Sequence, residues 1–181
     1  MKRERFVLLL LVCAVPAMAQ DRSANLRSAA GCGPAATEFS VKVDKNQHVV
    51  TPPQPGKALV YVIAQESPDD SYNIGDITTR VGLDGTWVGA NYGESYLSFS
   101  LAPGEHHVCV DWQSSLASRQ QLSGAAELTA EAGKTYYFRT WILPSGLMGG
   151  HREGLWLKQV DSAEGLLLLS KAGQSAWKEK K

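Results

Sequence analysis

The stretch from Ser95 to Trp112 constrains the fold most, because apolar and polar residues alternate along it in two separate runs. Alternation is typical of a strand with one buried face. In the first run the apolar positions are Leu97, Phe99 and Leu101. Ala102–Glu105, with its proline and glycine, predicts a turn. In the second run Val108, Val110 and Trp112 alternate with His107, Cys109 and Asp111. We therefore predict a β-hairpin with one core face and with Cys109 on its outer face.

Short alternating segments separated by turn residues occur along most of the remaining chain. They predict strands at residues 39–43, 57–65, 125–129, 134–142 and 155–160, and a hairpin at 78–91. One short C-terminal helix is predicted after Asp161, an N-cap residue type, with Leu166–Leu169 facing the sheet. About eight short strands with one helix predict an all-β fold, an antiparallel β-sandwich.

Two segments carry more detailed expectations. Residues 57–65 are apolar on both faces, which favours a central strand covered on both sides. Asp84-Gly85 favours a type I′ turn. The tight turn sets a register in which Val81 faces Val88, Arg80 faces Gly89 and Trp87 faces Gly82. This register predicts Trp87 and Arg80 on the solvent face.

The first 19 residues have the pattern of a signal peptide. A basic start precedes the apolar run Phe6–Val15, which is too short to span a bilayer, and Ala17-Met18-Ala19 predicts cleavage after Ala19. A lipoprotein at Cys13 is not predicted, because Val12 stands where lipid-modified signals have Gly, Ala or Ser. We expect a periplasmic or secreted protein without a transmembrane span.

The charge balance argues against a nucleic-acid partner. The whole chain has a formal net charge of zero, and cleavage removes three basic residues and one acidic residue, which leaves −2. No basic stripe is present to bind a phosphate backbone.

Cleavage leaves two cysteines, Cys32 and Cys109. Disulfides persist in exported compartments, so we predict that these two are bonded. Two unpaired thiols are the alternative.

Five segments together resemble the DUF2846 family, bacterial secreted and envelope domains of unknown function. They are GKALVYVI at 56–63, VGLDGTWVG at 81–89, LAPGEHH at 101–107, AGKTYYFR at 132–139 and VDSAEG at 160–165. The resemblance implies a small β-sandwich and no enzyme, since the family offers no catalytic residues to transfer. The predicted organisation is a signal peptide at 1–19, an arm with the first strand at 20–54, the DUF2846-like domain at 55–171 and a frayed polar tail at 172–181.

Two groups of residues are candidates for a site. Trp87, Arg80, Tyr92, Tyr96 and Trp156 predict a possible binding face for a sugar or a protein. The favoured alternative is that these aromatic side chains pack under the Cys32 arm. Metal binding is not predicted, because the nearest candidates, His106 and His107, are adjacent and point to opposite faces of a strand.

No catalytic motif is present, and no cofactor is predicted. The function expected is a non-enzymatic binding or structural module of the bacterial envelope, with an unknown envelope protein or glycan as partner. The alternatives are a carbohydrate- or peptidoglycan-directed enzyme accessory protein and a periplasmic metal-handling protein. The glycine-rich stretch Gly146–Gly154 is expected to be a flexible loop.

Overall fold

A computed structural model describes residues 31–65, 77–113, 122–143 and 154–181. Within these ranges the strands are β1 (Phe39–Asp44), β2 (Ala58–Ala64), β3 (Thr78–Leu83), β4 (Thr86–Tyr92), β5 (Ser95–Leu101), β6 (Gly104–Gln113), β7 (Ser123–Ala130), β8 (Thr135–Leu143), β9 (Gly154–Val160) and β10 (Gly173–Glu179). A single helix, α1 (Ser162–Leu169), lies between β9 and β10. The predicted signal peptide and nearly all of the glycine-rich loop lie outside the described residues.

The strands form two sheets, which confirms the all-β sandwich. The larger sheet has the order β1-β10-β5-β2-β8-β9, and the smaller has the order β4-β3-β6-β7. Most neighbours are antiparallel, but β2 pairs with β8, and β5 with β10, in parallel. The larger sheet is therefore mixed. β2 is buried along its whole length, as its two apolar faces predict.

The core between the sheets contains alternate residues from both. Ala58, Val60 and Val62 of β2 pack with Val108 and Val110 of β6. Further members of this core are Val81, Leu97, Leu101, Leu128, Phe138, Ile142 and Leu155. The apolar residues predicted to form the two core faces of the Ser95–Trp112 stretch all belong to this cluster or pack against it.

The prediction that Ser95–Trp112 forms a hairpin is wrong. β5 pairs with β2, whereas β6 pairs with β3 and β7 in the other sheet. The chain crosses between sheets after Leu101, and Gly104 begins β6 at φ +139°. The two runs therefore face each other across the core. Alternation specifies which face of a strand is buried, but it does not specify the hydrogen-bonded partner.

The β3–β4 hairpin follows the prediction for its first two pairs only. Asp84 and Gly85 both have positive φ, as a type I′ turn requires, and Gly82 faces Trp87. A bulge then shifts the register by one, so that Val81 faces Gly89 and Arg80 faces Ala90. The ring of Trp177 occupies the space where a side chain on residue 89 would project. The bulge thus presents a glycine to that ring.

The predicted frayed tail is instead a strand. β10 pairs with β1 over six residues and briefly with β5, where the hydroxyl of Ser175 lies 2.8 Å from that of Ser95. Trp177 packs edge-on against Phe39. The first strand and the tail, predicted as flanks of a domain at 55–171, therefore complete the larger sheet. The polar composition of β10 hides this, because its pairing groups are in the backbone.

Helix α1 covers part of the outer face of the larger sheet. As predicted, Asp161 is its N-cap, and its side chain accepts a hydrogen bond from the Glu164 N–H. Leu168 and Leu169 are buried among Tyr61, Tyr96 and Tyr137 of the sheet. Leu166 and Leu167 are exposed, so the prediction that residues 166–169 all face the sheet is wrong for these two. Consecutive residues of a helix point in different directions, so four in a row cannot all face one surface. No helix in the described ranges is long and apolar enough to cross a membrane.

Candidate functional site

The segment of residues 31–37, called the arm below, lies on the outer face of the smaller sheet and is bonded to it. Cys32 and Cys109 form a disulfide with their Cα atoms 5.6 Å apart, as predicted. Cys109 points outward from β6. The neighbouring residue on β3 is Gly82, and the backbone of Cys32 fills the space that a side chain there would need. The glycine therefore permits the arm to approach the sheet closely.

Arg80 is the main polar contact between this sheet and the arm. Its side chain is only 4 % exposed. Its Nη1 donates to the carbonyls of Ala35 and Thr37 at 3.0 and 2.7 Å. Its Nη2 lies 3.2 Å from Oδ1 of Asp111 on β6. A buried guanidinium needs such partners, because an unpaired charge inside a protein is strongly destabilising.

Trp87 also contacts the arm. Its Nε1 donates to the Pro34 carbonyl at 2.9 Å, and its ring lies against Gly33. The Arg80 guanidinium lies 4.6 Å from the centre of the ring, at cation–π distance. Trp87 and Arg80 are thus under the arm, as the favoured alternative expects, and do not form a free solvent-facing surface.

The remaining residues of the predicted binding face are far apart in the fold. Tyr96 is buried on the opposite side of the molecule, where its hydroxyl accepts from the Val49 N–H at 2.9 Å. Burial raises the pKa of Tyr96. Tyr92 is partly exposed at the end of β4, and Trp156 is exposed on β9. The prediction that these five side chains share one face is therefore wrong, because their strands belong to different sheets.

The two histidines of the metal hypothesis do not point to a common site. Nδ1 of His106 lies 2.7 Å from a carboxylate oxygen of Asp84, and its Nε2 lies 2.9 Å from the Ala102 carbonyl. The His107 N–H donates to the other Asp84 oxygen. In the described part of the chain, no group of three His, Cys, Asp or Glu side chains is placed to hold a metal ion.

These contacts make Asp84 a structural carboxylate. Partial burial raises its pKa, but the hydrogen bonds from the His107 backbone and the His106 ring outweigh burial and hold the pKa below its usual value. The carboxylate joins the β3–β4 turn to the start of β6.

A second aromatic cluster was missed by the sequence reasoning. Trp141 on β8 and Trp156 on β9 are directly opposite and stacked, with ring centres 6.2 Å apart and planes 15° from parallel. Two pairs along the ladder, on the same face of the sheet, Arg139 is opposite Lys158. We call these four side chains the tryptophan face. The alternation of Arg139 and Trp141 in the sequence is the signal that places two of these four side chains on one face of β8.

The fold and these contacts define a two-sheet β-sandwich whose N-terminal arm is joined to its outer face by a disulfide. Comparison of the chain with protein-family models, with curated proteins and with solved structures gave no match.

Proposed function

We propose that this chain is an exported, non-enzymatic β-sandwich module with a binding or structural role in the bacterial envelope. The observation that carries the proposal is the Cys32–Cys109 disulfide. Such bonds form and persist in oxidising compartments and are rare in the cytosol. The signal-peptide pattern of residues 1–19 and the resemblance to DUF2846 also support export to the bacterial envelope.

The arrangement around the disulfide supports a structural purpose for it. The bond fixes the arm at the place where Arg80 and Trp87 bind three of its carbonyl groups. An arm held by a covalent bond and by side-chain hydrogen bonds suits a protein that has to stay folded outside the cytoplasm. The exported module is therefore proposed as a rigid scaffold that presents its exposed faces to a partner.

A carbohydrate- or peptidoglycan-directed accessory role is the second candidate, and the exposed Trp156 favours it. The metal-handling alternative loses support from the same geometry. A disulfide sulfur cannot act as a thiolate ligand, and both ring nitrogens of His106 already face oxygen acceptors.

Intact-mass measurement of the protein from a periplasmic fraction tests the proposal. The sample is alkylated with and without prior reduction. We expect a chain that starts at Gln20, with no alkylated thiol before reduction and two after it. A chain that retains residues 1–19 in the cytosolic fraction, with free thiols, would contradict the proposal.

A further inference from the structure

The outer face of β8 and β9 has two parts. At one end, Tyr137 and Val160 pack in the apolar cluster beneath helix α1. The tryptophan face lies beyond it along the strands. From helix α1, the carboxylate of Glu164 lies 3.4 Å from Nη1 of Arg139. Trp156 is 50 % exposed there.

The two tryptophan rings support each other on the outer face of β8 and β9. They stack nearly parallel, and the Arg139 guanidinium lies 5.0 Å from the centre of the Trp141 ring. This stacking restricts the orientation of both indoles before any ligand arrives, so binding costs little side-chain entropy. The exposed indole of Trp156 is therefore preorganised.

The charges beside the rings are unusual for a β-ladder. Arg139 and Lys158 face each other directly on the same side of the sheet. Like charges in such a pair are destabilising. Among the described residues, Glu164 pairs with Arg139 and no ion pair involves Lys158. Within the part of the chain that the structure describes, this leaves an excess positive charge next to an exposed ring, in a protein whose processed chain is expected to be slightly acidic. An anionic group on a ligand would relieve this repulsion.

The size of the face indicates a ligand with a small footprint. An indole has about 150–250 Å² of surface in total, and both of these rings are partly covered, whereas a stable protein interface buries about 800 Å² per partner. A pyranose ring fits better, because its flat C–H face packs on an indole while its substituents reach neighbouring polar groups.

We propose that the tryptophan face binds an acidic glycan, with a sugar ring stacked on Trp156 and a carboxylate of the glycan held by Lys158 and Arg139. The inference deepens the proposed function, on which it rests, by naming the class of partner. The periplasmic mass measurement uses no ligand. It can therefore contradict the proposed export of the protein independently of any result for this site.

Calorimetric titration of the purified full-length processed protein tests the site with three polymers. Polygalacturonate supplies sugar rings and carboxylates, dextran supplies rings alone, and polyglutamate supplies carboxylates alone. We expect polygalacturonate to bind at least about tenfold more tightly than either of the others, because only it satisfies both the indole and the cations.

Two variants locate the binding. Trp156→Ala is expected to weaken polygalacturonate binding about tenfold and Lys158→Gln about threefold. Both side chains are exposed, so the thermal midpoint should change little. Tyr92→Ala and Lys178→Gln are the matched controls, an exposed aromatic and an exposed lysine on other strands, and should leave the affinity unchanged.

Several results would overturn the inference. Equal binding of polyglutamate and polygalacturonate would indicate a cationic surface for an acidic protein, and equal binding of dextran would remove the role of charge. An unchanged affinity in Trp156→Ala would place any binding elsewhere. Absence of polygalacturonate binding by the wild-type protein would reject the site.

Discussion

At the scale of single residues, Arg80 shows how a surface-looking position becomes part of the interior. Its strand alternation places it on the outer face of β3, where the arm and the Trp87 ring lie against it. Its partners are then two arm carbonyls and Asp111. The same guanidinium therefore serves both the disulfide-linked arm and the sheet beneath it.

Removal of the Asp111 carboxylate should be strongly destabilising. Asp111→Ala leaves the buried Arg80 cation without its counter-charge, which predicts a loss of about 3 kcal/mol in the free energy of unfolding. Glu38→Ala breaks the exposed pair with Lys180 and should cost less than about 1 kcal/mol. Urea unfolding of both variants gives the comparison. Similar losses in the two variants would show that Arg80 is not buried by the arm.

The acid stability of the protein should depend on Asp84. Its pKa in the folded state lies below the ordinary value of 3.8, so ionised Asp84 stabilises the fold above that pH. This contribution is lost as the pH falls through the lower, folded-state pKa. Asp84→Asn should remove that part of the slope while keeping the turn, because asparagine tolerates positive φ. Unfolding free energies between pH 2 and 6 measure the effect, and parallel curves for the two proteins would contradict it.

At the scale of elements, the arm and β10 are the two segments whose order depends on distant parts of the chain. Neither has a strong periodic pattern, and each becomes ordered through a partner far away in sequence. The arm has the sheet and Cys109, 77 residues beyond Cys32. Strand β10 has β1 and β5.

Loss of the disulfide should destabilise the protein without changing its fold. Replacing both cysteines with serine removes a cross-link over a long loop, which in the chain-entropy model costs about 4 kcal/mol. The hydrogen bonds from Arg80 and Trp87 should still place the arm. Urea unfolding, with tryptophan fluorescence reporting the Trp87 environment, measures both effects. A native spectrum is expected, and a red-shifted one before unfolding would mean that the disulfide alone holds the arm.

Truncation tests whether β10 is part of the sheet. Ending the chain at Ala172 removes the partner of β1 and leaves β5 with an unpaired edge, which favours aggregation. Hydrogen exchange in Phe39–Asp44 should become fast. Deletion of Lys181 alone is the control and should change nothing. Unchanged protection of β1 in the longer truncation would fit the frayed tail that composition predicts.

At the scale of the whole molecule, the sandwich buries both faces of β2 and only one face of most other strands. One side of the larger sheet is covered by the smaller sheet, and the other by α1 together with residues 47–51, whose backbone contacts the hydroxyls of Tyr61 and Tyr96. The arm covers part of the outer face of the smaller sheet. At the end of β8 and β9 beyond α1, the exposed side chains of Trp156 and Lys158 keep the tryptophan face accessible.

The amino-acid sequence by itself determined the class of fold, most strand positions, the Asp84-Gly85 turn, the Asp161 cap and the cysteine pair. These features follow from local periodicity, from turn and cap chemistry and from a count of two cysteines. Each depends on interactions within a few residues or, for the disulfide, on the fact that two cysteines remain after cleavage.

Only the tertiary structure decided which strands pair, where the register shifts and which aromatic residues are accessible. The apolar face of an alternating strand can be buried against any suitable apolar surface. The same pattern is therefore compatible with β5 and β6 in one sheet or in two. The ring of Trp177 fills the space beside Gly89 at the bulge, and the arm lies over Arg80 and Trp87. Such contacts join residues that are distant in sequence, and local patterns carry no information about them.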